Sequence, residues 1–464
     1  MKKKLLLLFV VIVMLLAACG GGQGKAPTPT PAEPVTIVFT TGGAGGRDPL
    51  QPYRELVGQF QEAYPHITVE LKTPEPGTRM TMKNIAESAD CFSWVPDFQE
   101  PGNLEAILNL GPFLEADPAF ADDFYPSLLK QFTWQGRLWG LPNQATPEVM
   151  RYNQDMFDEA GLNYPAVDWT TDDFTEAAIA LTRGAGEEKQ YGFVGTPYDL
   201  TELMLLLERR GARLVDVSVD PPTMALNAPA TVEALRWYAS LSTEYGVKPV
   251  FSTDLSELEA SMFSDMEERD ALISGGRAAM WTIMESWELR SDPEGLNVGV
   301  ATLPAGPDVA AGAYRSVSGY FISSHTQARQ ACWQWISYLT GQLGAISGVP
   351  ARRSVAQSEA FRQKVGAERA AVYEASVAAA DRPPGYQFYP DQPWLMAAVF
   401  WLVQAHGQVL EGEASVERAL EVAQQKFDDF RACIIARDAG DDEEGMKACL
   451  MEVDPTLANL LIGQ

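Results

Sequence analysis

The chain has 464 residues, 46% of them hydrophobic, and carries 35 Lys+Arg against 62 Asp+Glu for a formal charge of −27. The acid excess disfavours nucleic acid and anionic lipid surfaces as partners, since each neutralised phosphate needs a cation. The apolar fraction is ample for packed cores and argues against a disordered chain, while the length exceeds what one core usually fills, so two lobes are expected.

Lys2, Lys3 and Lys4 form a positive start, and Leu5 to Leu16 is an unbroken apolar run. At about twelve residues the run falls short of the roughly 20 that a membrane-spanning helix needs, which marks it as a signal peptide, residues 1–18. The sequence Leu16-Ala17-Ala18-Cys19 looks like the lipobox of bacterial lipoproteins. That likeness implies acylation of Cys19 and a protein anchored by lipid on the extracytoplasmic side of the cell membrane. Residues 19–34 then read as a flexible tether, rich in Gly and alternating Pro. No later segment reaches 18 apolar residues.

Val35 to Thr41 is β-branched and apolar, the pattern of a buried strand. The glycine turn Gly42 to Gly46 leads to Asp48-Pro49, a good helix start, and Leu50, Tyr53, Leu56, Val57 and Phe60 repeat at helical spacing. Ile67, Val69 and Leu71 alternate as a second strand, so the opening is a βαβ unit of an α/β lobe. The glycine turn lacks a phosphate-loop ending and reads instead as bare backbone that a ligand can approach. Asp90 to Ser93 forms a further strand. Thr170 and Asp173 have capping-box spacing, Asn227-Ala228-Pro229 opens a helix, and Gln327–Leu339 and Met396–Leu410 are helical by period.

Four cysteines remain beyond Cys19. Cys433 and Cys449 flank an acidic, glycine-containing stretch at a spacing that fits a helix–turn–helix clipped by a disulfide. Cys91 and Cys332 either pair or stay as buried thiols. No CxxC occurs and His66, His325 and His406 are scattered, so neither zinc nor another cofactor is expected. Adjacent acids such as Asp122-Asp123 and Asp172-Asp173 fit helix starts better than a glycosidase pair, and no hydrolase motif appears, so an enzyme is not expected.

A longer pattern emerges from Gly136-Arg137-Leu138-Trp139-Gly140-Leu141-Pro142, Met150 to Phe157, Ala160-Gly161-Leu162 and Trp169. It continues through Ser274 to Trp281, Glu285-Ser286-Trp287, Leu303 to Pro307, Ser318 to Ser323 and Gly348 to Val355, with Phe60 to Glu70 upstream. In order and content these resemble the extracellular solute-binding proteins of ABC sugar importers, the family that includes maltodextrin-binding protein. The resemblance implies a periplasmic-binding-protein-like α/β fold of class II type, with two lobes, three hinge crossings and a ligand cleft between the lobes. By analogy the crossings fall near Asn143 to Pro147, Ala305 to Arg315 and Gly344 to Pro350. The first lobe then takes residues 35–142 and 305–345, the second 147–304 and 350–430, and 431–464 form a C-terminal appendage. The implied partners are a small-molecule solute, most naturally a carbohydrate, and ABC permease subunits that read the closed form of a monomer. A lipid-anchored sensor or scavenger without a transporter is the alternative.

Sugar sites combine aromatic plates with polar side chains, and the chain has 11 Trp and 15 Tyr to supply them. By position the resemblance singles out Trp94 and Trp287 as stacking rings and Asp97 as a hydroxyl acceptor. Asn143, Gln144 and Thr146 lie at the first crossing, and Gly319-Tyr320 presents a further ring. Arg352 either ties the lobes or reaches ligand. Thr41 ends the first strand, where relatives often carry an aromatic. The sequence does not name the solute.

Overall fold

The computed structural model describes residues 33–42, 48–74, 80–98, 102–197, 200–216, 218–252, 258–284, 292–307, 313–378, 393–440 and 442–462. Cys19, the glycines of the turn at 43–46 and Trp287 lie outside them.

Strand β1 (Val35–Thr41) leads through helix α1 (Gln51–Ala63) to β2 (Ile67–Lys72), and β3 (Cys91–Trp94) follows. Both β2 and β3 run parallel to β1, with Val35 opposite Ile67 and Phe39 opposite Cys91. The alternation Ile67, Val69 puts those two side chains inward, and α1 buries Tyr53, Leu56 and Phe60 at the spacing read from sequence.

The 13-residue strand β4 (Leu141–Asn153) then leaves this lobe. Beyond it α2 (Leu200–Arg209), α3 (Pro229–Thr243), β5 (Met280–Met284) and β6 (Val298–Thr302) build the second lobe. Strand β7 (Ala313–Ile322) returns, and α4 (Arg329–Leu339), β8 (Val349–Pro350) and α5 (Ala367–Ala378) follow. Helices α6 (Met396–Leu410), α7 (Val416–Arg437), α8 (Glu443–Val453) and α9 (Pro455–Ile462) end the chain.

One curled sheet of eight strands joins both lobes in the order β6-β4-β7-β3-β1-β2, with β5 and β8 also paired to β4. Along β4 the partners change from β7 and β8 at Leu141–Ala145 to β5 and β6 at Val149–Asn153. That change of partner is the passage between lobes. Met150 and Tyr152 point into the second-lobe core with Trp237, Leu206 and Trp401, whereas Leu141 and Ala145 belong to the core of Phe39, Phe60 and Trp335. Helix α5 packs along β4, β6 and β7, and its Tyr373 and Val377 share one buried cluster with Val149, Ile283 and Val300.

The segment 431–464 differs from the expected appendage. Ile434, Ala439, Cys449, Leu450, Leu457 and Ala458 are buried in the second-lobe core. Each of these helices has an apolar face to hide, and Asp454 fixes the last turn by accepting hydrogen bonds from Trp401 Nε1 at 2.9 Å and Lys426 Nζ at 2.7 Å. Cys433 and Cys449 form a disulfide with their Cα atoms 5.7 Å apart. Cys91 and Cys332 are buried free thiols, and burial, followed by contact with Cys332, pushes the Cys91 thiol well up. The capping box of Thr170 and Asp173 is made in both directions.

Candidate functional site

The carboxyl ends of parallel β1 and β3 and the amino end of α1 meet beside the crossing strands. Crevices of open α/β sheets form at this place, because the strands stop and the helices turn back from the edge. Here the crevice is a hollow of about 840 Å³, a size that suits a small-molecule ligand.

Thr41 and Gly42 from β1 and Ser93, Trp94 and Val95 from β3 form its floor. Asp48, Gln51, Pro52 and Tyr53 at the start of α1 make one wall, and Asn143, Gln144, Ser318 and the turn Gly344–Ser347 make the other. Trp94 is half-buried and leans on bare backbone: a Cβ on Gly42 would sit 3.2 Å from its ring carbon Cζ3. The glycine at the strand end therefore makes room for the indole.

The crossing strands are stitched together just behind this wall. Ser318 Oγ donates to Asn143 Oδ1 at 2.9 Å, and Asn143 Nδ2 donates to the Tyr320 hydroxyl at 3.2 Å. Gln144 Oε1 accepts from the backbone N–H of Ser347 at 2.6 Å and of Gly348 at 2.9 Å, while its Nε2 donates to Ser347 Oγ at 3.2 Å. Asp48 accepts from Leu50 N–H at 3.0 Å and pairs with Arg54 at 2.6 Å, and these two contacts hold its carboxyl below the usual range. Among the described residues that line the hollow there is no lysine, arginine or histidine.

Thr41, Trp94, Asn143 and Gln144 are thus brought to one hollow. The other positions singled out from sequence go elsewhere. Asp97 is exposed and engages Asn103, whose Nδ2 donates to the Asp97 carbonyl at 2.8 Å. Thr146 faces its partner Ser316 across the β4–β7 ladder, outside the lining. Tyr320 is wholly buried, 6.0 Å from Phe39 ring to ring, because α1 lays Tyr53 over it; burial, then the neighbouring Tyr53, pushes its hydroxyl well above the usual range. It is a core residue and not a stacking plate.

Arg352 lies over Phe120 and pairs with Asp123 at 2.7 Å, so its guanidinium is spent on a local clip. Burial works against the Asp123 charge, yet Ser354 and Arg352 hold its carboxyl below the usual range. Sequence reasoning missed Tyr53, Ser93, Ser318 and Ser347. Tyr53 read as one more apolar position of α1, and isolated serines on strands and turns carry no pattern.

The chain matches the profile described as bacterial extracellular solute-binding protein over residues 43–343. A maltodextrin-binding protein of Bacillus subtilis is 23% identical over 264 residues, 56% of this chain and 59% of that one. The chain spans about half the length of the curated relatives it matches. A substrate-binding protein of Listeria monocytogenes, solved in complex with cycloalternan, superposes with a TM-score of 0.60 at 19% identity, covering 86% of this chain and 100% of that one. The sugar-binding protein of Xanthomonas citri gives 0.61 at 19% identity, with 88% and 100% covered.

Proposed function

The chain belongs to the bacterial extracellular solute-binding proteins, and from that premise we propose that it captures a saccharide in the hollow beside the crossing strands and hands it to ABC permeases. The lining supports this best. Trp94 offers an apolar plate for the C–H face of a sugar ring, and Thr41, Ser93, Gln51, Asn143 and Ser318 surround it with hydroxyls and amides. Among the described residues the lining holds one carboxylate and no cation, which suits a neutral polyhydroxy solute. Relatives that bind maltodextrins and arabino-oligosaccharides point the same way.

Capture that also engages the second lobe would shift the population toward a closed form, the state a permease can read. The carbohydrate role is tested by calorimetric titration with maltodextrins and arabino-oligosaccharides. Trp94→Ala should weaken the binding found by roughly 2 kcal/mol, more than tenfold in Kd, with an unchanged denaturant melt. Unchanged affinity in folded Trp94→Ala protein would remove the plate from the account, and absence of any saccharide binding would remove the sugar.

The same reading includes a lipid anchor on Cys19. Among the described residues no helix is long and apolar enough to cross a membrane. Cys19→Ser should leave unacylated precursor that no longer partitions into detergent.

A further inference from the structure

The second lobe holds a small recess of about 60 Å³ under Thr196, between α3 and α6. Its volume is enough for a group of about three heavy atoms. Lys248 and His406 both line it, at 8% and 7% exposure. The Lys248 ammonium rests 5.1 Å above the Tyr238 ring; burial lowers its pKa from the usual lysine range, while the Glu202 charge works the other way. His406 Nε2 is buried without a partner. Two nitrogen groups therefore line one space, and His406 Nε2 makes no hydrogen bond among the described residues, which is costly unless something else fills it.

Among the described residues no carboxylate pairs with His406 Nε2. Glu202 accepts from Thr196 N–H at 2.8 Å, from Tyr238 Oη at 3.3 Å and from Thr282 Oγ1. Asp265 accepts from Ser252 N–H at 3.1 Å. Gly195 permits the first of these, since a Cβ there would collide with the Glu202 carboxylate. With its proton on Nε2, His406 thus has a donor left over beside Lys248, and an acceptor group with negative charge is what such a space fits.

The position is as telling as the chemistry. Val194 bridges Trp281 in parallel, so the chain from Phe193 to Pro197 runs alongside β5 toward Met284. Met284 pairs with Glu148, next to the crossing. The recess lies at the end of the second lobe nearest the hinge.

We propose that this recess binds a carboxylate, held by the Lys248 ammonium and His406 Nε2. The carboxylate arrives either as a free short-chain ion or as the acidic substituent of a solute. Burial, then the Lys248 charge, pushes the His406 imidazole down to about 3, so the ring stays neutral near pH 7 and donates as a neutral group. The proposal is independent of the saccharide reading, since none of these residues lines the first hollow.

The test uses the full-length folded protein and the imidazole resonances of its three histidines. Sodium acetate, sodium glucuronate, acetamide and glucose are titrated separately, with sodium chloride matching ionic strength. A saturable shift of the His406 nitrogen with acetate or glucuronate is expected, while His66 and His325 stay still. Saturation with both probes assigns the carboxylate group itself. Glucuronate alone assigns a solute-borne acid, and acetate alone a free ion. Lys248→Met should weaken the effect by about tenfold or more, the size expected when one charge-assisted contact is lost. Should Lys248→Met fail to fold, His406→Gln with a melting-temperature readout replaces it, and the acetate-induced rise should vanish. The proposal is overturned by any of four results: no saturation, an equal response to chloride, an equal response to acetamide or glucose, or wild-type affinity in a folded variant.

Discussion

The two hollows of this molecule are built on opposite principles. The one beside β1 and β3 is wide, and the polar side chains of its crossing-strand wall are bonded to one another before any solute arrives. The recess of the second lobe is narrow, and among the described residues its His406 Nε2 lacks a hydrogen-bond partner. On the proposed saccharide reading, a satisfied surface is won by stacking and by exchanging one hydrogen bond for another, which would tolerate a range of neutral hydroxylated solutes. An unsatisfied one selects by charge and rejects groups that cannot accept, because leaving the donors bare costs more than any contact returns.

The largest effect expected separates the wall of the wide hollow from the core behind it. Tyr320→Ala should cost about 3–5 kcal/mol of folding stability, as truncation of a buried ring does, because Phe39 and Tyr53 lose their packing partner. Tyr320→Phe should cost about 1 kcal/mol, the hydrogen bond from Asn143. Urea melts of both variants check this. A mild Tyr320→Ala would mean the ring reaches solvent and belongs to the site after all.

Next comes the scaffold of the other hollow. Reduction of the disulfide, or Cys433→Ser with Cys449→Ser, should lower stability by about 3 kcal/mol, the loop-entropy value for a closure of this length. The second-lobe helices that the bridge joins should show faster amide exchange while β1 to β3 remain protected. Loss of protection spread evenly over both lobes would mean that they unfold as one unit.

A smaller effect is expected at the seam between the regions. Gln144→Ala leaves the N–H groups of Ser347 and Gly348 without their acceptor, at a cost of about 1–3 kcal/mol. Because the seam also lines the wide hollow, solute affinity should fall with stability. Gln144→Glu should keep both backbone contacts and restore most of the loss.

How much of this was legible in the sequence follows from the range of each interaction. Local patterns read well. The period of α1, the alternation of β2 and the Thr170–Asp173 box depend on neighbours a few residues apart. Trp94 was singled out by the family resemblance and Thr41 as the place where relatives often carry an aromatic, and the structure puts both on the floor of the hollow. Tyr320 was not, since its face depends on a register shift between Ser318 and Gly319 and on a helix more than 250 residues earlier. The serines of the hollow and the partnerless state of His406 arise only where distant segments meet, so no window of sequence contains them.

The smallest effect, across one pH unit, tests whether the recess is as closed as its missing partners imply. In the unfolded chain His406 titrates near 6.5, whereas burial and Lys248 push it down to about 3 in the fold. Below pH 6.5 the unfolded chain therefore takes up a proton that the native state refuses. Stability is present in full above 6.5 and drains away as pH falls toward about 3, by about 1.4 kcal/mol per pH unit within that window. Of the groups that face the ring, burial lowers Lys248 from the usual lysine range while Glu202 works the other way, and Tyr238 lies 5.1 Å away ring to ring. The depressed carboxyls Asp123 and Asp454 give up their contribution only as pH falls through values below the usual 3.8. Urea melts at pH 6, 5.5 and 5 compare wild type with His406→Gln, which should flatten the slope by that amount. An identical slope in the variant would mean that water reaches the ring and lets it charge in place, and the recess would then resemble the open hollow it is contrasted with.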